Sequence, residues 1–114
     1  MEFQKESIDD VTIIRIESER LDTNVAPELK AELIILAEQG ILKVLIDISK
    51  VYYADSSGLG ALLFGVRQYR DHDGQFKLLG ANTRVQNLIR IAKLDHILTN
   101  FDNEQSALES FKTT

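Results

Sequence analysis

Residues 42–49, LKVLIDIS, constrain the fold of this chain more than any other segment. Side chains alternate between the two faces of a β-strand. Four apolar residues would therefore share one face: Leu42, Val44, Ile46 and Ile48. Leu45 would lie on the other face. Apolar residues on both faces are typical of a strand in the middle of a sheet that is covered on one side and partly on the other. We therefore expect residues 42–49 to form a central strand.

Four further segments are predicted to be strands; the strongest of them, residues 11–17, is rich in β-branched residues. These segments are residues 3–7, 11–17, 76–81 and 97–101. The first two would form a hairpin around Asp9 and Asp10, and the third follows a turn at Asp73 and Gly74. The first and last segments are short, which favours positions at the edges of the sheet.

A helix is predicted between the hairpin and the central strand. Its apolar residues recur at helical spacing: Val25, Leu29, Leu33 and Leu36. Asn24 is the predicted N-cap. Pro27 falls in the first turn, where its missing N–H costs no hydrogen bond, and Gly40 is expected to end the helix.

Two later helices are predicted to begin with asparagine caps. Asn82 precedes a helix that extends to residue 94, and Asn103 precedes a final helix. The apolar residues of the final helix are Ala107, Leu108 and Phe111. With one more helix after the central strand, the element order becomes ββαβαβαβα. A strand pair followed by βα units predicts a single α/β domain over residues 1–114, with a mixed sheet of four to five strands and covering helices.

Composition narrows the classes of function. The 114 residues carry a formal net charge of -5 and a pI of about 5.0, which disfavours direct binding to nucleic acid or to an anionic membrane surface. The absence of cysteine excludes disulfides, zinc thiolates and cysteine nucleophiles. The start MEFQKESIDD does not have the pattern of a signal peptide, and no apolar run approaches the roughly 20 residues of a membrane helix. We therefore predict a cytoplasmic protein without a membrane partner.

The stretch YYADSSGLGALLFG, residues 52–65, follows the central strand. Its spacing predicts a helix that begins within one residue of Ser56. The residues expected to face the sheet are Leu59, Leu62, Leu63, Val66 and Tyr69. Two serines, Ser56 and Ser57, stand at the start of this helix, where unpaired backbone N–H groups favour an anion. The alternative is that one serine simply caps the helix.

The other face of the same helix is small and weakly polar. It comprises Ser57, Gly60, Ala61, Phe64, Gly65 and Gln68. A glycine inside a helix costs about 0.5–1 kcal/mol relative to alanine, so these glycines need a reason. Small residues allow another backbone to come close, which favours a docking surface for a partner. The alternative is close packing against a loop of the same chain.

The segment YYADSSGLGALL resembles the signature of STAS domains of the anti-sigma-factor antagonist type. The similarity extends over nearly the whole chain and includes RLDTNVAPELK before the first helix and LIDISKV before the D-S-S-G-L-G motif. One departure is Glu19, which stands where many members of the family have glycine, two residues before the Leu-Asp pair.

The resemblance implies a partner switch. The first serine of the motif, Ser56, would be phosphorylated by an anti-sigma factor that is itself a serine kinase, and a serine phosphatase would reverse the modification. The unphosphorylated form would bind the kinase and free a sigma factor. Asp55 would place or polarise the Ser56 hydroxyl, and Ser57 would support the site. The residues expected to bind the partner are Gly58, Gly60, Ala61, Phe64, Gly65 and Asp22. The oligomeric state stays open.

Other functions are less well supported by the residues. A serine hydrolase would need a base, but His72 is expected in an exposed loop, RDHDG, and His96 lies before the last predicted strand. The motif also lacks the G-x-S-x-G elbow. A phospho-aspartate at Asp55 lacks a well-spaced acidic pair, and Asp22, Asp47 and Asp55 are a loose carboxylate set more typical of capping than of a metal site.

No nucleotide-binding loop is present, so we predict a protein without cofactor and without enzymatic activity. The alternative within the family is a STAS scaffold or ligand-sensing module in a stress-signalling assembly without direct sigma-factor control.

Overall fold

The computed structural model describes residues 3–112. The elements are β1 (Phe3–Ile8), β2 (Val11–Ile16), β3 (Arg20–Leu21), α1 (Ala26–Glu38), β4 (Lys43–Asp47), β5 (Tyr53–Ala54), α2 (Ser56–Asp71), β6 (Gln75–Leu79), α3 (Thr83–Ile91), β7 (Asn100–Phe101) and α4 (Glu104–Ser110). None of these helices is both long enough and apolar enough to cross a membrane, within the described residues.

Five strands form one mixed sheet in the order β1-β2-β4-β6-β7. The hairpin strands β1 and β2 are antiparallel, and every later pairing is parallel. This arrangement confirms the predicted α/β class and the mixed sheet. It also confirms the central strand, because β4 pairs with β2 on one side and with β6 on the other.

The two faces of the sheet are covered by different helices. On one face, Val44 and Ile46 belong to a large apolar cluster with the buried residues of α1, α2 and α3. On the other face, Leu45 packs in a smaller cluster with Ala107 of α4 and with Phe111, the residue that follows α4. The predicted alternation along β4 therefore places Leu45 on the α4 side of the sheet.

A second, two-stranded sheet was not predicted. Strands β3 and β5 run parallel, with Arg20 opposite Tyr53 and Leu21 opposite Ala54. The backbone N–H of Tyr52 donates to the carbonyl of Glu19 at 2.7 Å and extends this contact. Strands of two residues are too short to show an alternating pattern in the sequence, yet this pair fixes the segment from which α2 begins.

The start of α1 differs from the prediction. Asn24 is not its N-cap: the capping position is Val25, whose side chain makes no capping bond. Instead, the carboxylate of Asp22 accepts the N–H of Asn24 at 3.0 Å, and the carbonyl of Asp22 accepts the N–H groups of Val25 and Ala26. The chain therefore turns one residue later than the pattern suggested. Pro27 lies in the first turn, as predicted.

The later caps follow the prediction. The side chain of Asn82 accepts the N–H of Val85, and the side chain of Asn103 accepts the N–H of Ser106, each at 2.8 Å. The third helix ends at Ile91 rather than at residue 94, and the last predicted strand is reduced to Asn100–Phe101.

Candidate functional site

Helix α2 begins directly after β5, and Asp55 is its N-cap. Asp55 has an extended backbone, and its Oδ1 atom accepts a hydrogen bond from the N–H of Gly58 at 3.0 Å. An N-cap acceptor of this kind satisfies one of the unpaired donors in the first turn. The capping role considered for one of the serines therefore belongs to Asp55.

Ser56 and Ser57 are the first two residues of α2. Ser56 is exposed and Ser57 is half-buried. Neither hydroxyl makes a hydrogen bond to any residue between 3 and 112. Because Asp55 already performs the capping, the Ser56 hydroxyl is left facing solvent without a structural task.

Some residues on the small face of α2 are buried inside the domain, and others are partly exposed. The expectation that Ala61 and Gly65 belong to an outward face is wrong, because both are buried by the chain itself. Gly58, which was predicted to bind the partner, is buried as well. A Cβ atom at Gly58 would lie 2.1 Å from the carbonyl oxygen of Leu21, and one at Gly65 would lie 2.4 Å from the ring of Phe76. The alternative of close packing within the chain therefore holds at these positions.

The same packing rotates α2 relative to the predicted orientation. Leu62 and Tyr69 are fully buried as expected, but Leu59, Leu63 and Val66 are only half-buried. The smallest residues face inward because they let the helix backbone approach β3 and β6 closely. A pattern based on side-chain hydrophobicity places the largest apolar residues inward, and so it misses this orientation.

Besides Ser57, three residues of the predicted docking face remain partly accessible: Gly60, Phe64 and Gln68. Gly60 has no atom within 4 Å of the position that a Cβ would occupy, apart from its own helix and chain neighbours. Phe64 is half-buried and contacts the main apolar cluster with part of its surface. Of the α2 residues predicted to bind a partner, Gly60 and Phe64 are the two that are not fully buried.

Asp22 lies next to the site through the small sheet. Strand β3 ends at Leu21, whose carbonyl accepts the N–H of Asp55 at 3.3 Å. The Asp22 carboxylate holds the start of α1 through Asn24, and its Oδ2 atom accepts from Nε of Arg20 at 3.3 Å. Asp22 therefore shapes the loop beside Ser56 and is largely committed to bonds within the chain.

An open groove separates the start of α2 from α3. It is lined mostly by apolar atoms of Tyr53, Ala54, Asp55, Ser56, Leu59, Arg84 and Leu88. The side of the groove formed by α3 was not predicted from the sequence. Arg84 and Leu88 are four residues apart and therefore share a helix face, but nothing in the sequence indicates that this face meets the start of α2.

Two arginines stack on tyrosines beside this groove. The guanidinium carbon of Arg84 lies 5.6 Å from the ring centre of Tyr52, and that of Arg20 lies 4.5 Å from the ring centre of Tyr53. Tyr52 is 57% exposed. Arginine and tyrosine are enriched among the residues that dominate binding energy at protein interfaces, so this composition suits a surface that contacts another protein.

Of the residues considered for catalysis or metal binding, Asp55 lines this groove, but the two histidines and Asp47 do not. Nδ1 of His72 pairs with the carbonyl of Gln68 at 2.8 Å on the exposed end of α2, and His96 is exposed in the loop after α3. The Asp47 carboxylate accepts hydrogen bonds from Ser49 and Arg15. No group of three His, Cys, Asp or Glu residues in the described part of the chain is arranged to hold a metal ion.

The sequence of this chain is similar to those of known proteins. The family model of the STAS domain matches residues 2–107. The anti-sigma-B factor antagonist of Staphylococcus epidermidis is 28% identical over 90 residues, which cover 79% of this chain and 82% of that protein.

Solved structures share the fold. An anti-sigma-factor antagonist (STAS) domain protein from Planctomyces limnophilus superposes with a TM-score of 0.87 at 18% identity, covering 97% of this chain and 98% of that one. The anti-sigma factor antagonist SpoIIAA in its unphosphorylated form gives a TM-score of 0.78 at 19% identity, covering 98% and 99%. SpoIIAA of Bacillus in its phosphorylated form gives 0.76 at 21% identity, covering 95% and 97%.

Proposed function

Because this chain belongs to the STAS domain family, we propose that it is an anti-sigma-factor antagonist that binds a partner kinase only while Ser56 is unphosphorylated. The relative in Staphylococcus epidermidis is named an anti-sigma-B factor antagonist, and SpoIIAA has been solved in unphosphorylated and phosphorylated forms. The observation that carries the proposal is the Ser56 hydroxyl, which is exposed and makes no hydrogen bond within residues 3–112.

The proposed modification is a phosphoryl transfer from ATP bound to the kinase. The Oγ atom of Ser56 attacks the γ-phosphorus, the bond from that phosphorus to ADP breaks, and the hydroxyl proton passes to a base. Asp55 supports the site by fixing the first turn of α2, and Ser57 borders the reacting hydroxyl. A serine phosphatase hydrolyses the phosphoserine with water and returns the protein to its binding form.

The position of Ser56 suits a switch that spares the fold. A phosphate adds about -1.5 to -2 charge at neutral pH. At the start of a helix this charge is favourable by about 0.3–1 kcal/mol through the helix dipole, partly offset by the neighbouring carboxylate of Asp55. Ser56 is exposed, so the added phosphate does not have to enter the core. The phosphorylated domain is therefore expected to stay folded.

The same charge opposes docking. Moving a charge out of water into an interface costs several kcal/mol, and about 1.4 kcal/mol already changes an affinity tenfold. The proposed docking surface consists of Ser56, Gly60, the exposed part of Phe64 and the groove toward α3. Because Ser56 is part of this surface, its phosphate blocks the kinase without unfolding the domain.

The site assignment is tested by incubating the protein with its partner kinase and ATP and mapping the phosphate by peptide mass spectrometry. We expect phosphate on Ser56 in the wild type and in Ser57→Ala, and none in Ser56→Ala. Ser57→Ala is the matched control because it keeps an identical hydroxyl one residue away from the change. Phosphate on Ser57, or on both serines equally, would overturn the assignment.

A pull-down separates this proposal from the scaffold alternative. An antagonist is expected to retain the kinase as Ser56→Ala and to lose it as Ser56→Asp. A scaffold or ligand-sensing module is expected to retain the same partners in both variants, because its contacts would not depend on the state of Ser56.

A further inference from the structure

The groove beside Ser56 has one cation and one carboxylate among its lining residues. Arg84 supplies the cation from the α3 side, and Asp55 supplies the carboxylate from the α2 side. The Asp55 carboxylate is committed to the N–H of Gly58. Arg84 forms no ion pair with any residue between 3 and 112. Its guanidinium instead makes a cation–π contact with the exposed ring of Tyr52. Arg84 is thus an exposed guanidinium without an anionic partner, next to the proposed phosphorylation site.

The backbone that carries Arg84 is held in place. The side-chain nitrogen of Asn82 donates to the carbonyls of Val51 and Tyr52 at 3.3 and 3.4 Å, and its oxygen caps the N–H of Val85. These bonds tie the first turn of α3 to the segment that leads into β5 and α2. The base of Arg84 therefore has a fixed position across the groove from Ser56, while its side chain is held only by the contact with Tyr52.

We propose that Arg84 binds the phosphate on Ser56 within the same chain. This inference rests on the proposed function, since it concerns the phosphorylated state. A guanidinium offers a planar set of donors that matches phosphate oxygens, and such charge-assisted bonds are stronger than a cation–π contact at an exposed site. Arg84 accordingly leaves the ring of Tyr52 when Ser56 is phosphorylated and closes over the groove.

The neighbouring cation does not serve the same purpose. Arg20 is already paired with Asp22 and stacks on Tyr53. Arg20 lines an adjoining depression with Glu19, whereas Arg84 lines both that depression and the groove that contains Ser56. Phosphorylation therefore changes two features of the docking surface: it adds the phosphate, and it removes the free guanidinium of Arg84.

The test uses protein in which phosphoserine is incorporated at position 56 during translation, so that no kinase is needed. The second pKa of the phosphate is measured by phosphorus NMR titration in the Arg84 form and in Arg84→Gln. A cation within bonding distance favours the dianion, so the pKa is expected to be about one pH unit lower with Arg84 than with Gln. Arg84→Lys keeps the charge and is expected to retain part of the effect.

Arg90→Gln is the matched control. Arg90 lies on the same helix, is exposed, and bonds to Asn87 at 2.8 Å, away from Ser56. Its replacement is expected to leave the phosphate pKa unchanged. Equal pKa values with Arg84 and with Arg84→Gln would overturn the inference, and so would an equal effect of Arg90→Gln. Either result leaves the kinase assignment of Ser56 untouched, because that assignment is judged by phosphate mapping alone.

Discussion

The carboxylate of Asp55 accepts a hydrogen bond from the backbone N–H of Gly58 at 3.0 Å. Asp55 therefore caps α2, and the hydroxyls of Ser56 and Ser57 make no hydrogen bond within residues 3–112. The close approach of Gly58 to Leu21 keeps the cap at the edge of the small β3–β5 sheet. A rigid start of α2 with a free Ser56 hydroxyl is the basis of the proposed switch.

Asp55→Ala is expected to lower the free energy of unfolding by about 1 kcal/mol, because the first turn of α2 loses its cap. Asp55→Asn keeps a side-chain oxygen for the N–H of Gly58 and is expected to lose only a few tenths of a kcal/mol. Urea unfolding monitored by circular dichroism measures both changes. If Asp55→Asn proves as destabilising as Asp55→Ala, the capping bond is not what Asp55 contributes.

Gly58 and Gly60 are expected to respond to alanine in opposite directions. A methyl group at Gly58 would meet the backbone carbonyl of Leu21, so Gly58→Ala should destabilise the fold by about 1–3 kcal/mol or more. Gly60 has open space at the same position, so Gly60→Ala should stabilise the helix by about 0.5–1 kcal/mol. The two variants carry the same chemical change two residues apart, which makes each the control for the other.

Thermal and urea unfolding measure the change in the free energy of unfolding of Gly58→Ala and of Gly60→Ala. No loss of stability in Gly58→Ala would show that α2 does not pack on Leu21 as described, and a loss in Gly60→Ala would contradict the open space at Gly60. Lower stability of Gly58→Ala together with higher stability of Gly60→Ala would confirm that Gly58 is needed for close packing and that Gly60 is not.

Asp47 is expected to make the free energy of unfolding decrease at acid pH. Burial alone would raise the pKa of Asp47, but hydrogen bonds from the hydroxyl and N–H of Ser49 and from Arg15 outweigh it and lower the pKa below its usual value. The stabilising contribution is therefore fully present above the unfolded pKa of about 3.9 and is lost as the pH falls through the folded pKa.

Asp47→Asn is expected to be less stable than wild type by about 1 kcal/mol at pH 7. The difference should shrink as the pH falls below about 4, because the Asp47 carboxylate of the unfolded chain binds a proton there, before that of the folded protein does. Asp95→Asn is the control, because Asp95 is exposed and makes no side-chain hydrogen bond within residues 3–112. A constant difference between wild type and Asp47→Asn from pH 7 to pH 3 would contradict this role of Asp47.

Much of the fold could be predicted from the sequence because the strong signals are local. The apolar alternation of residues 42–49 identified the central strand, and the asparagines at 82 and 103 marked two helix starts. The cap of α1 was missed because its donors bind Asp22, whose bonds depend on how the loop after β3 turns.

The site was predicted less completely, for a physical reason. The motif located Ser56, but hydrophobicity alone could not show that the small residues Gly58 and Gly65 point inward, since this requires knowing that Leu21 and Phe76 lie against them. Likewise, Arg84 enters the groove only through the packing of α3 beside β5. Contacts between segments distant in sequence leave no periodic signal in either segment.

The central claim is tested most directly by calorimetric titration of the partner kinase with the protein carrying serine or phosphoserine at position 56. Phosphoserine at Ser106 is the control, since Ser106 is also exposed near a helix start, on α4 and the opposite face of the sheet. We predict at least a roughly 100-fold loss of affinity for phosphoserine 56 and little change for phosphoserine 106. Equal affinity of the serine and phosphoserine forms at position 56 would contradict the account.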